Sequence, residues 1–94
     1  MNKTPKRIDY SNKFIKQLKK APLEIKIAFR KRFEMFLEDP FNPLFNNHQL
    51  SGTLKGYRSI NITGDWRALY SEMRGREGII IVFEMLGKHS QLYK

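Results

Sequence analysis

Residues 79–86 read Ile-Ile-Ile-Val-Phe-Glu-Met-Leu, a run in which Glu84 is the one polar side chain. It is far shorter than the roughly 20 apolar residues of a membrane span. A short, nearly continuous apolar run suits a central strand covered on both faces. Such a strand needs partners along its edges and cover on its faces, and the flanking sequence offers both.

Upstream of it, Met73–Gly78 reads as a turn, with Gly75 and Gly78, and Trp66–Ser71 as a hairpin partner strand. Thr63-Gly64-Asp65 is a second turn, and Tyr57–Ile62 alternates apolar and polar as a strand does. Arg58 shares strand parity with Ile60 and Ile62, which puts it on the core side or its rim. Residues 40–56 combine Pro, Asn and Gly with Phe41, Leu44, Phe45, Leu50 and Leu54, the mark of an ordered, partly buried connection.

The first 39 residues follow another period. Lys6–Tyr10 is a short strand candidate, and Asp9 or Ser11 can cap the helix after it. Phe14, Ile15 and Leu18 form one apolar stripe among lysines until Ala21-Pro22 breaks it, and Pro22 can open a second helix. Ile25, Phe29, Phe33, Phe36 and Leu37 keep helical spacing to about Glu38, where Asp39-Pro40 stops the helix. The tight joint predicts an antiparallel helical hairpin. The expected fold is α+β, one domain over 1–94. Its N-terminal strand and helical hairpin pack on one face of a small, mainly antiparallel four-stranded sheet, and the other face is left for function.

Composition narrows the function. Ninety-four residues suit one small domain, and 40% apolar residues suffice for one core. The chain has no cysteine, so disulfides and thiolate metal sites are ruled out, and a reducing, cytoplasmic setting is expected. The basic N-terminus has no apolar segment behind it and does not read as a signal peptide. The net charge of +9 is unevenly placed. Residues 1–32 hold eleven Lys and Arg against Asp9 and Glu24, whereas 33–94 hold seven of each sign. Such a field attracts polyanions, nucleic acid first and an acidic protein next. A merely solubilising surface is the plain alternative.

There is no HExxH, Walker loop or GxGxxG. Two histidines are too few for most all-protein zinc sites, so no metal or other cofactor is expected. RNA cleavage can proceed without one, because the 2′-hydroxyl of RNA can itself attack the neighbouring phosphate. His89, His48 and Asp65 can move protons, Arg67 and Lys88 can meet phosphate charge, and Tyr93 or Trp66 can hold a base. Each also has an ordinary reading. His89 can cap a chain end, His48 can be a loop residue, and Asp65 suits a turn. Trp66 can be a core aromatic, and Tyr93 can merely pack.

Taken together, three segments resemble the RelE/ParE superfamily of bacterial type II toxins, and most of all its YafQ-like branch of mRNA interferases. They are His48-Gln-Leu-Ser-Gly-x-Leu-Lys-Gly-Tyr-Arg58, Ile62-Thr-Gly-Asp65-Trp66-Arg67-Ala-Leu-Tyr70 and Leu86-Gly-Lys-His89-Ser-Gln-Leu-Tyr93. The resemblance implies a RelE-like fold and a ribosome-dependent, metal-independent endoribonuclease. It acts on mRNA in the ribosomal A site, against ribosomal RNA, and is inhibited by a cognate antitoxin. It also implies that His89 is the main proton-transfer residue, with His48 and Asp65 as companions. Tyr93 would orient the substrate, and Arg67 would steady the scissile phosphate. Asn61 stands where the YafQ-like pattern has a further histidine, and Arg67 is a RelE-like feature. Rival readings are a ParE-like poison of DNA gyrase, whose relatives generally lack the His/Asp set, and a binding module without chemistry.

Overall fold

In the computed structural model, which describes Pro5 and residues 7–93, the central strand is β5, Gly78–Lys88. Before it come β1 (Arg7–Tyr10), α1 (Asn12–Lys20), α2 (Leu23–Glu38), β2 (His48–Gln49), β3 (Arg58–Asn61) and β4 (Trp66–Gly75). A short helix, α3 (His89–Leu92), follows it. Lys6, the first residue of the expected N-terminal strand, lies outside the described residues, as do 1–4 and Lys94.

The sheet has five strands in the order β1-β5-β4-β3-β2 and is mixed, which corrects the expected four. β1 runs parallel to β5, with Arg7 opposite Ile80, and the other pairs are antiparallel. The strand missing from the expectation is β2. Its two residues pair His48 with Ser59 and Gln49 with Arg58, too short a segment to show alternation. The β4–β5 hairpin is tighter than expected, closing through Arg76 and Glu77 alone. Gly78 leaves this turn at φ 137°, a conformation that side-chain-bearing residues rarely adopt. Register slips by one between Leu69↔Met85 and Tyr70↔Phe83, so Glu84 bulges out, and its carboxylate accepts from Ser71 Oγ at 2.9 Å.

Local chemistry explains the helices. Ser11 caps α1, its Oγ accepting from Phe14 N at 3.0 Å. The same hydroxyl donates to Glu84 O, and Ser11 N to Phe83 O, so the start of α1 is tied to β5. Pro22 caps α2 rather than opening it, and Asp39 ends it. Where β1 stops, the edge of β5 finds another partner, and Gln17 Oε1 accepts from Leu86 N at 2.8 Å.

Phe14, Ile25, Phe29 and Phe36 from the helices meet Ile60, Ile62, Ala68, Tyr70, Ile81, Phe83 and Leu86 from the sheet. Phe83 is the hub. Its ring lies 5.5 Å from those of Phe14 and Phe36 and 5.6 Å from that of Phe29. Each such ring pair adds about 0.5–1.5 kcal/mol beyond area burial. Ile15, expected in the stripe, is 47% exposed, and in the connection Phe45 is buried while Phe41 and Leu44 are exposed. One polar network closes this face. Asn47 donates to Tyr70 Oη at 2.7 Å and to Pro40 O at 2.9 Å, and accepts from Arg58 Nε at 2.8 Å. Burial pushes the Tyr70 phenol up, against the smaller pull of Asn47 and Arg58.

Candidate active site

Strand alternation sends Ser59, Asn61, Arg67, Leu69 and Gly87 to the face opposite the helices. His48 stands directly across from Ser59 and therefore shares that face. Its Nδ1 lies 2.7 Å from Asn46 O, so Nδ1 carries the proton and a neutral ring keeps its lone pair on Nε2. Asn46 presents that carbonyl from a left-handed conformation, φ 46°, which asparagine tolerates better than most residues.

The terminal segment comes to the same place from the other side. β5 passes directly into α3, with Lys88 as the N-cap residue and Lys88 N donating to Gln91 Oε1 at 3.0 Å. His89 N donates to Asp65 O at 2.8 Å, which pins α3 to the β3–β4 turn. His89 and Tyr93, one helical turn apart, pack edge to face with ring centres 4.5 Å apart. Tyr93 Oη donates to Ser59 Oγ at 2.7 Å. Ser59 is fully buried, so this bond is a fixed joint between the C-terminal segment and β3. A chain of neighbours thus runs from His48 through Ser59 and Tyr93 to His89.

The turn is rigid. Thr63 Oγ1 accepts from Trp66 N at 3.1 Å, and Trp66 O accepts from Ile62 N at 2.9 Å. Arg67 Nη1 donates to three carbonyls, Thr63 and Gly64 at 3.1 Å and Trp66 at 3.2 Å. Its Nε and Nη2 make no hydrogen bond among the described residues, leaving half the guanidinium fork open on the site face. Arg67 lies opposite Asn61, whose Oδ1 is buried without a hydrogen-bond partner.

Of the residues singled out from sequence, His48, Arg67, His89 and Tyr93 gather on this face and its end, and Asp65 joins them through its backbone carbonyl. Three do not. Arg58 sits on the helical side, tied to Asn47 and stacked over Phe41 at 5.1 Å. Trp66 is half-buried and packs against the core. Lys88, opposite Trp66, is exposed on the strands' other side. Ser59 was missed. Its only signal was a small hydroxyl on the strand positions that alternate with Ile60 and Ile62. Among the described residues, no group of three or more His, Cys, Asp or Glu is placed to hold a metal ion.

Residues 6–94 match the family described as the bacterial toxin of type II toxin–antitoxin systems, YafQ. The chain belongs to this family. Its relatives include the mRNA interferase toxin YafQ of Escherichia coli K12, 28% identical over 90 residues, covering 92% of this chain and 94% of that protein. The crystal structure of YafQ from E. coli BL21(DE3) has a TM-score of 0.71 at 24% identity, covering 93% of this chain and 97% of the other. The E. coli DinJ–YafQ complex gives 0.66 at 24% identity, with 93% and 97% covered. These structural likenesses establish the RelE-like fold. No helix among the described residues is long and apolar enough to cross a membrane.

Proposed function

We propose that this YafQ-family toxin is an mRNA interferase, a metal-independent endoribonuclease that cuts message in the ribosomal A site and is held in check by a cognate antitoxin. The observation that carries this reading is the joint of His89, Tyr93 and Ser59, with His48 opposite Ser59 and the Asp65 turn bonded to His89 N. With His48 and Arg67 on one face of the sheet and His89 at the start of α3 at its end, this joint supports a site of two imidazoles and an arginine. The name of the E. coli K12 relative and the DinJ–YafQ complex support the activity class and the antitoxin.

In the proposed reaction the 2′-hydroxyl oxygen bonds to the adjacent phosphorus and the bond to the 5′-oxygen breaks. His48 Nε2 takes the 2′-hydroxyl proton, since its Nδ1 is held by Asn46 O. Protonated His89 gives a proton to the departing 5′-oxygen, from a backbone position fixed by its bond to the Asp65 carbonyl. The open edge of the Arg67 guanidinium meets the charge that builds on the phosphorane oxygens. Tyr93 holds the His89 ring, because its hydroxyl is anchored on Ser59 and its ring faces the imidazole. The basic first 32 residues lie against ribosomal RNA, or against an acidic antitoxin in the inhibited complex.

Primer extension on a reporter message in cells expressing the toxin tests this. Cuts within translated codons that vanish in His89→Ala are expected. Growth arrest without such cuts, together with a change in DNA supercoiling, would instead mark a gyrase poison. Cuts that persist in His89→Ala would remove His89 from the chemistry.

A further inference from the structure

Behind α3, on the side away from the His89–Tyr93 pair, a cleft of 620 Å³ opens between α1 and the end of the sheet. Lys13, Gln17 and Lys20 line it from one face of α1, Trp66 from β4, and Gln91 and Leu92 from α3. Gly87 lets α3 sit this close, since a Cβ there would meet Leu92 Cδ2 at 3.3 Å. Both glutamines are held in the same way. Gln17 Oε1 accepts from Leu86 N, and Gln91 Oε1 from Lys88 N. Their oxygens are occupied, and the Nε2 groups, which make no hydrogen bond among the described residues, are left as donors.

The cleft therefore offers two ammonium groups, two amide donors, an indole and an apolar wall. A ligand that fits carries anionic oxygens, further acceptors and a flat π-face, which is the chemistry of a nucleotide. An acidic peptide would match the lysines but leave the indole without a flat partner.

We propose that this cleft binds a nucleotide of single-stranded RNA next to the one at the candidate active site, with α3 as the partition between them. The proposal rests on the nuclease reading for the identity of the strand. α3 carries His89 and Tyr93 toward the site and Gln91 and Leu92 toward the cleft, so one short element positions both. The cleft's wall also includes the residue after Asp65, which makes its occupancy a means of aligning the strand across His89.

Trp66 is the only tryptophan in the chain, so its fluorescence reports on this cleft. The probe is a single-stranded RNA oligonucleotide with 2′-O-methyl groups, which lacks the attacking hydroxyl and stays intact. Titrated into the full chain, it is expected to change Trp66 emission saturably. In Lys13→Gln/Lys20→Gln, both exposed, that change is expected to disappear, and the slope of log K against log salt, read from retention of the labelled oligonucleotide on a filter, to flatten by about 1.4, at about 0.7 per phosphate contact. Unchanged emission and slope in the double variant overturn the proposal. So does an equal, saturable change produced by poly-glutamate of matched charge, which marks an acidic protein surface instead. Message cutting is read separately. Cutting by the parent toxin alongside unaltered binding in the double variant sinks the cleft alone. Binding lost in the variant, with no cutting by the parent, sinks the nuclease reading and leaves the cleft as an RNA site.

Discussion

The two faces of the sheet solve opposite problems. On the helical face, Phe83 gathers rings from both helices and the neighbouring strand, and the polar network of Asn47 with Tyr70 and Arg58 has its bonds made. On the other face the same strands present Ser59, Asn61 and Arg67, and there a buried amide oxygen and half a guanidinium remain open. Buried polar groups are normally satisfied, so an unfilled one marks a place where something other than stability sets the residue. The contrast separates a region that holds the fold from one that it merely displays.

Substitutions on the two faces should therefore have different consequences. The largest effect is expected from Phe83→Ala, which empties the hub and costs about 3–5 kcal/mol, enough to unfold much of a marginal domain. Urea denaturation would show it as a lower midpoint, and toxicity would fall because folded protein is lost. A midpoint shift under 1 kcal/mol, on the scale of a surface change, would contradict the central role of that ring. On the opposite face, His89→Ala should lower cutting by about 10²–10⁴-fold while changing stability by no more than about 0.5 kcal/mol. A comparable loss of stability would mean that His89 belongs to the scaffold, and the contrast would fail.

A smaller effect sharpens the boundary between the faces. Ser59→Ala leaves the Tyr93 hydroxyl without its partner, and Tyr93→Phe leaves the Ser59 hydroxyl without its own, each at about 1 kcal/mol. If the bond acts as one joint, the double variant should lose little more than either single one. Full additivity in a double-mutant cycle would show that the two hydroxyls act independently. Cutting should weaken in both single variants, because the His89 ring loses its fixed neighbour.

The smallest effect concerns pH and the helical face. Burial raises the Tyr70 phenol above its ordinary value of about 10, and the half-exposed Tyr10 shifts the same way for the same reason. Below that value both folded and unfolded chains keep the proton, and the contribution to stability is complete. Above it the unfolded chain ionises first, so stability falls as pH rises toward the folded value. Thermal melts from pH 9 to 11 should show this decline, and Tyr70→Phe should make it shallower. An equal slope in that variant would place the alkaline transition elsewhere.

Much of this was legible in the chain, for identifiable reasons. The α2 pattern of Ile25, Phe29, Phe33 and Phe36 is periodic over sixteen residues, so its helix and its inward face could be read directly. The β3–β4 and β4–β5 hairpins are local, with turn residues between alternating runs. β2 could not be read, because two residues carry no period, and it exists only because β3 offers a free edge. α3 is similarly short, four residues that carry barely one helical turn of period. Strand parity in the chain already puts Arg58 on the core side, whereas the helical-side position of Trp66 is fixed by the register of β4 against β5.

By itself, then, the sequence determined the helical hairpin, the hairpin-linked strands, the excess of positive charge in the first 32 residues and the family. Those depend on local period, turn chemistry and short motifs, which act between residues close in the chain. Only the tertiary structure decided that His48 stands across from Ser59, that Ser59 holds Tyr93, and that the Asp65 turn holds His89. These are contacts between segments 11 to 34 residues apart, counted from Ser59 to His48 and from Ser59 to Tyr93. Register and burial set them, and neither is defined until the sheet has closed.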